Sequence, residues 1–586
     1  MAARAAHERF ARFAAASVLA LVAVASFAAA RRANPEAPGE SGVWPVGVAQ
    51  PIAVVAGKAR FVAPSGATSA RTLVIVSALA KNPGRYPIRI TARSARRAEP
   101  PARADDGPAT TPRPSPKLQV APPVGPRSKP PETRTFYLPV RDGDPSSPSN
   151  YVAVLARLRG SSAGVEVYVD PTDLARVDDA TVRDVVKTLD ERILPVSRRT
   201  IGTADDVDGD GRFAVLLSGW LGQLADGKLA VDGYVRGADF EPVQSPPLGN
   251  RCDVMYLNSA LKPGPHLRTV MAHEYTHAVT YCRKALGPAK VDEEGWLDES
   301  LAHLMEDLHG FSRSNLDYRV AAYLSEPERY RLLVSDFGAA GLIRSHGHRG
   351  GAYLFVRWCA DRYGPDLLGQ LVRSDRGGIA NLEAATGQTF ATLYRGWSVS
   401  LFLDAMKPSA GEESLTPRAS RIVLDGPDDR VVLDATTSHF AIVEGARNGA
   451  VAIEVEGPKD AAIQVTAIPL PCDYPRIDLD VGIEQGTDGR AGLVARIRER
   501  DGRSLDIEVL CCESSEASQG SPHRRVLKGA DLRSILGRDR LGGRDHIVSR
   551  PIPLDDEGGR IVTLIGRDER GRRVVARAEV GPRPGP

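Results

Sequence analysis

Met271-Ala272-His273-Glu274-Tyr275-Thr276-His277-Ala278-Val279 lies inside a run from Leu267 to Leu286 that contains neither proline nor internal glycine. Such a run predicts a helix, and on a helix positions i and i+4 lie one turn apart on the same face. His273 and His277 can therefore reach one metal ion. Glu274, next along the chain, leans toward the water on that ion rather than toward the ion itself, which is where a general base belongs.

Two histidines alone also fit a polar surface, so the third ligand decides. Downstream, Gly295-Trp296-Leu297-Asp298-Glu299-Ser300-Leu301-Ala302-His303-Leu304 has the pattern of a second helix, stopped by Gly310. A carboxylate on that helix completes a set of two imidazoles and one carboxylate and leaves a fourth position open, as catalytic zinc sites do and closed structural sites do not. The net positive centre lowers the pKa of water toward about 7 and polarises a carbonyl. Asp298, His303 and Glu306 are placed to support the ligands from behind, or to be polar residues on an amphipathic helix. A donor for the oxyanion is also needed, and Tyr353, His346 and His348, in or just after Ser345-His346-Gly347-His348-Arg349-Gly350-Gly351, are the candidates, with Tyr353 foremost.

With its downstream segment Trp296-Leu297-Asp298-Glu299-Ser300-Leu301-Ala302, the motif resembles the zinc helices of gluzincin metallopeptidases, and within them the hyicolysin-type neutral zinc metallopeptidases. The resemblance runs over about 150 to 375. It includes Val167-Tyr168-Val169-Asp170, Gly233-Tyr234, Val254-Met255-Tyr256-Leu257-Asn258, Gly351-Ala352-Tyr353-Leu354-Phe355 and Asp361-Arg362-Tyr363-Gly364. It implies Glu299 as third zinc ligand and a secreted zinc endopeptidase acting on proteins or peptides. Asp298 and Ser300 depart from the family's Asn and Gly and leave the ligand in place. A metzincin is excluded, because Thr280 and Arg283 stand where that class needs Gly and His. The substrate-amine segment of gluzincin aminopeptidases is absent. A catalytically silent binding or adhesion protein, and a zinc hydrolase of non-peptide acyl bonds, are the alternatives.

Around this block the 586 residues predict a multidomain chain, an α+β zincin-like domain flanked by small all-β, sandwich-like modules. Residues 1–30 read as a signal peptide: basic residues to Arg12, an uncharged stretch from Phe13 to Ala30, then Arg31-Arg32. That predicts export, with an N-terminal membrane anchor as the alternative and no other insertion. Residues 43–95 read as a small β module and 96–132 as a proline-rich disordered linker at which processing would detach it. Residues 135–410 are the metallopeptidase domain, 411–470 a β-sandwich-like module and 471–586 a second one.

A charge of +3, from 76 basic against 73 acidic residues, gives no field that gathers nucleic acid. Asp206, Asp208 and Asp210 alternate as in a calcium loop, although Leu217 stands where the bidentate acid belongs; a plain aspartate-glycine turn is the other reading. Six cysteines without Cys-x-x-Cys spacing look structural. Cys252 with Cys282 is the preferred bridge, and Cys472 with Cys511 or Cys512 a further one.

Overall fold

A computed structural model describes residues 44–65, 71–95, 104, 129–342, 345–403, 414–415, 417–445 and 449–471, with further backbone strands between 477 and 580. The signal-peptide segment, nearly all of the linker, Cys472 and the side chains of Cys511 and Cys512 lie outside the described residues.

The heart of the α/β block is a six-stranded sheet in the order Thr133–Pro139, Tyr151–Ser161, Val165–Val169, Phe213–Ser218, Val254–Asn258 and Gly233–Val235. Three of its four inner strands, Val165–Val169, Phe213–Ser218 and Val254–Asn258, run parallel and are buried at every position. Burial on both faces explains why Phe213–Leu217 and Val254–Leu257 are unbroken apolar runs, while Glu166 in Val165–Val169 is buried by pairing with Arg134. Val165, Val167, Val215, Leu217, Met255 and Leu257 point to the helices. Tyr168, Ala214, Leu216, Val254 and Tyr256 point to the opposite side, onto Phe136 and Leu138. Gly233–Val235 pairs antiparallel with Met255–Leu257 and forms the edge.

Against the first face packs α1, Pro265–Lys284, whose proline occupies the opening turn, where a missing N–H costs nothing. Leu267, Met271, Tyr275, Ala278 and Val279 form its buried stripe. α2, Gly295–His309, crosses beside it and ends at Gly310 in the left-handed region, φ 63°, which closes the last turn onto Glu306. Its first two N–H groups are satisfied by the carbonyls of Ser335 and Val334. α3, Ser314–Ser325, α4, His346–Tyr363, and α5, Phe390–Leu403, complete the helical layer.

Residues 43–95 and 411–470, read from sequence as two modules, share one sandwich. Arg71–Ala78 is the middle strand of a five-stranded sheet, between Ile463–Leu470 and Ser438–Glu444. In the facing four-stranded sheet, Tyr86–Ala95 lies between Asp429–Leu433 and Gly449–Glu456. One core holds both sheets together, with Phe61, Val74 and Ile90 from the first segment against Leu433, Ile453 and Val465 from the second. The sandwich sits directly on the α/β block: Phe402 of α5 stacks on Phe440 at 5.6 Å, and Arg395 Nη1 donates to Val465 O and Thr466 Oγ1. The strands between 477 and 580 form two further sheets, one of which also takes Ser414–Leu415. The architecture is thus mixed α and β with several sheets.

The expected Cys252–Cys282 bridge does not form; both thiols are free and buried. Cys252 shares its side of the sheet with Val254 and Tyr256, whereas Cys282 packs among the helices on the other side. A sheet therefore separates the two sulfurs.

Candidate active site

α1 and α2 bring the motif residues together at the floor of a cleft of about 690 Å³. The two histidines of α1 are each fixed from α2: His273 Nδ1 lies 2.6 Å from Glu306 Oε1, and His277 Nδ1 lies 2.7 Å from Asp298 Oδ2. A carboxylate partner requires the proton on Nδ1, so both Nε2 atoms are left to face a common point. They stand 3.1 Å apart, and His273 Nε2 is 3.5 Å from Glu299 Oε2.

These distances test the fit to a metal. Tetrahedral ligands at about 2.05 Å from zinc lie about 3.3 Å from one another. The two separations bracket that edge, so the donor chemistry fits the ion and His273 stands at ligand spacing from both His277 and Glu299, while the donors of His273, Glu299 and His303 form a cluster within 4.8 Å of one another. His303 Nε2, fully buried and without a hydrogen-bond partner, lies 3.9 Å from Glu299 Oε2 and belongs to the same cluster of donors. Its Nδ1 shares Glu306 Oε1 with His273, at 2.8 Å. Burial holds His303 down to about 4, so it is neutral at physiological pH.

The electrostatics follow from this crowding. Burial disfavours charge on His273, but hydrogen bonds with Glu299 and Glu306 outweigh it and push its pKa up to about 10. Burial also opposes charge on Glu299, yet Arg349 and His273 hold it well below the usual carboxylate range. Positive charge is thus favoured at the paired nitrogens, where a divalent ion competes with the proton. Glu274, 9% exposed, borders the same cleft, and burial raises its pKa against the pull of both imidazoles. The edge strand approaches it closely: a Cβ at Gly233 would stand 2.8 Å from Val270 Cγ1 and 3.1 Å from Glu274 Cγ.

Because Glu306 orients one ligand directly and contacts His303 as well, Glu306→Ala is expected to weaken zinc binding by about 10- to 100-fold. Chelator competition measures this, and an unchanged affinity would show that the carboxylate does not orient His273.

Tyr353 does not reach the cleft. It lies four residues beyond Arg349 on α4, about 6 Å further along the axis, and its hydroxyl donates to Asp307 Oδ2 at 3.1 Å. Asp307 is also paired with Arg313 and Arg357, so the tyrosine belongs to a buried network between α2 and α4. His348 is held by Ser345 Oγ and packs against Tyr330. His346 does line the cleft. Sequence reasoning missed Arg349, which also lines it and donates from Nη1 to Glu299 Oε2 at 2.8 Å, and the His266–Asp232 pair at 2.8 Å on the cleft wall. The i, i+3 spacing of Arg349 from His346 was the available signal.

In the aspartate-rich loop, Asp206, Asp208 and Asp210 each bring a carboxylate oxygen within 4.8 Å of the others. Each also has a protein donor: Gly211 N to Asp206 at 2.9 Å, Arg134 to Asp208 at 2.7 Å, and Arg212 N to Asp210 at 2.7 Å. These contacts suit an aspartate-glycine turn, and the carboxylate spacing suits a cation as well. Among the described residues no helix is long and apolar enough to cross a membrane.

No family model matches the chain. A stretch of 177 residues is 26% identical to the neutral metalloprotease ShpI of Staphylococcus hyicus, which covers 29% of this chain and 39% of that protein. The chain is thus distantly similar to a metalloprotease.

Proposed function

We propose that the chain is a zinc-dependent endopeptidase with His273, His277 and Glu299 as metal ligands and Glu274 as general base. The observation that carries this reading is His273 Nε2 at ligand spacing from both His277 Nε2, 3.1 Å, and Glu299 Oε2, 3.5 Å, beside a buried carboxylate in an open cleft. Zinc held there would supply Lewis-acid polarisation of the substrate carbonyl and would lower the pKa of water toward about 7.

The protein's own residues do the rest. Asp298 and Glu306 keep the Nδ1 protons in place, so the Nε2 lone pairs stay directed at the ion. Glu274 takes a proton from the attacking water as its oxygen bonds to the carbonyl carbon, and the proton passes to the amine nitrogen as the C–N bond breaks. Gly233–Val235 lines the cleft at a sheet edge, where unpaired backbone groups favour an extended peptide added as another strand. That favours peptides over other acyl compounds.

The test is hydrolysis of unfolded casein by the full chain. Activity is expected to vanish on chelation and to return with added zinc. Hydrolysis that survives complete removal of metal, or none from a folded chain holding one zinc, would overturn the proposal; the second outcome favours a silent binding protein or a hydrolase of other acyl bonds.

A further inference from the structure

We propose that Arg349 is the catalytic residue that receives the carbonyl oxygen of the scissile bond as negative charge develops on it; this rests on the peptide hydrolysis proposed above. Attack on a carbonyl concentrates charge on one oxygen, and a donor fixed in advance at that point is among the largest contributions a site can make. With Tyr353 held by Asp307, the donor must come from elsewhere in the cleft.

Most donors lining the cleft are already occupied. His266 is held by Asp232, and the Tyr281 hydroxyl donates to Glu241 at 2.9 Å. Lys284 is tied to the carbonyls of Leu371, Ser374 and Arg376 and to Glu293 at 2.8 Å. The Tyr234 hydroxyl and Thr280 Oγ1 are buried without a hydrogen-bond partner, but both are neutral, and the Tyr234 ring stacks on Tyr256 in the cluster on the other face of the sheet.

Arg349 is different. Its guanidinium carries five N–H groups; Nη1 bonds to the ligand carboxylate of Glu299 at 2.8 Å, while Nε is buried without a hydrogen-bond partner. The group therefore lies beside the ligand set with donor capacity to spare. Its plane rests 5.0 Å from the centre of the Phe337 ring, which restricts its orientation. Arginine keeps its proton throughout turnover, so this is a donor only and never competes with Glu274 as base. His346, one turn earlier, lines the same cleft and packs edge-on to Tyr318 at 4.8 Å; it is the comparison residue.

The experiment uses the full zinc-loaded chain with Arg349→Met, Arg349→Lys and His346→Ala. Zinc affinity is read by chelator competition, kcat and KM on an unfolded protein substrate, and binding of a peptide phosphonate, a tetrahedral anion, by calorimetry. Arg349→Met is expected to lower kcat by on the order of 10²- to 10³-fold at little-changed KM. It should weaken phosphonate binding by a similar factor and keep zinc affinity within about 3-fold of wild type, with Arg349→Lys recovering part of both losses. Zinc affinity falling as steeply as kcat would make Arg349 only a positioning residue for Glu299 and overturn the proposal. So would the loss appearing in His346→Ala but not in Arg349→Met. If the wild type cleaves no protein, the endopeptidase reading fails, and the phosphonate still decides: wild type binding it no better than Arg349→Met overturns the role of the arginine.

Discussion

Glu274→Gln is expected to reduce casein hydrolysis by on the order of 10³-fold while leaving one zinc per chain and the unfolding midpoint unchanged. Gln has the size of Glu and keeps one carbonyl oxygen but accepts no proton at neutral pH, so only the base is removed. The metal should remain, because the proposed ligands are His273, His277 and Glu299, and their supports, Asp298 and Glu306, lie on α2. Glu299→Gln is the contrast: it removes a ligand charge, so zinc content and activity should fall together. Elemental analysis beside an activity assay separates the two. A Glu274→Gln protein that keeps zinc and more than a tenth of the activity would remove Glu274 from the mechanism.

Deleting residues 1–95 is expected to abolish the folded sandwich rather than to release a dispensable module. Arg71–Ala78 is buried at all eight positions and is the middle strand of its sheet. Losing Leu73, Val74, Ile75 and Val76 removes about 2 kcal/mol of apolar burial each, on the order of 8 kcal/mol together, against about 5–15 kcal/mol for the whole stability of a domain. Ser438–Glu444 and Ile463–Leu470 would also be left with unpaired edges. The effect should spread to the α/β block, because Thr436 of the sandwich accepts from the backbone N–H groups of Leu332 and Leu333. The next residues, Val334 and Ser335, cap the start of α2. Comparing the truncated and full chains by thermal unfolding and by zinc affinity tests this. A truncated protein with an unchanged melting profile would mean that the first segment is no part of the core, and that processing in the linker could detach it.

The parts of the site legible in sequence are those set by a single helix. The i, i+4 spacing of His273 and His277 puts both on one face whatever packs against it, and the same reasoning places Glu299, His303 and Glu306 on one side of α2. Tyr353 shows where this stops. It shares a helix face with His346, seven residues earlier, but which turn of α4 borders the cleft depends on how that helix is laid across α2, and Asp307 captures the hydroxyl one turn too far along. Arg349 escaped for the same reason: its i, i+3 spacing from His346 marks a shared helix face, but not that the arginine meets a glutamate fifty residues away. The cysteines show it again: the parity of Cys252 with Val254 and Tyr256 was readable, but the face of the sheet on which α1 would carry Cys282 was not.

By itself, then, the sequence determined the two motif helices, the identity of their facing donors and the β character of both flanks, because helix and strand periodicities act over a few residues. Only the tertiary structure decided that His273 lies 3.1 Å from His277 and 3.5 Å from Glu299, that Arg349 rather than Tyr353 stands beside them, and that Arg71–Ala78 pairs with strands more than 350 residues later in the chain. Strand pairing and helix crossing are set by burial of whole faces against one another, and many distant segments present faces of similar chemistry.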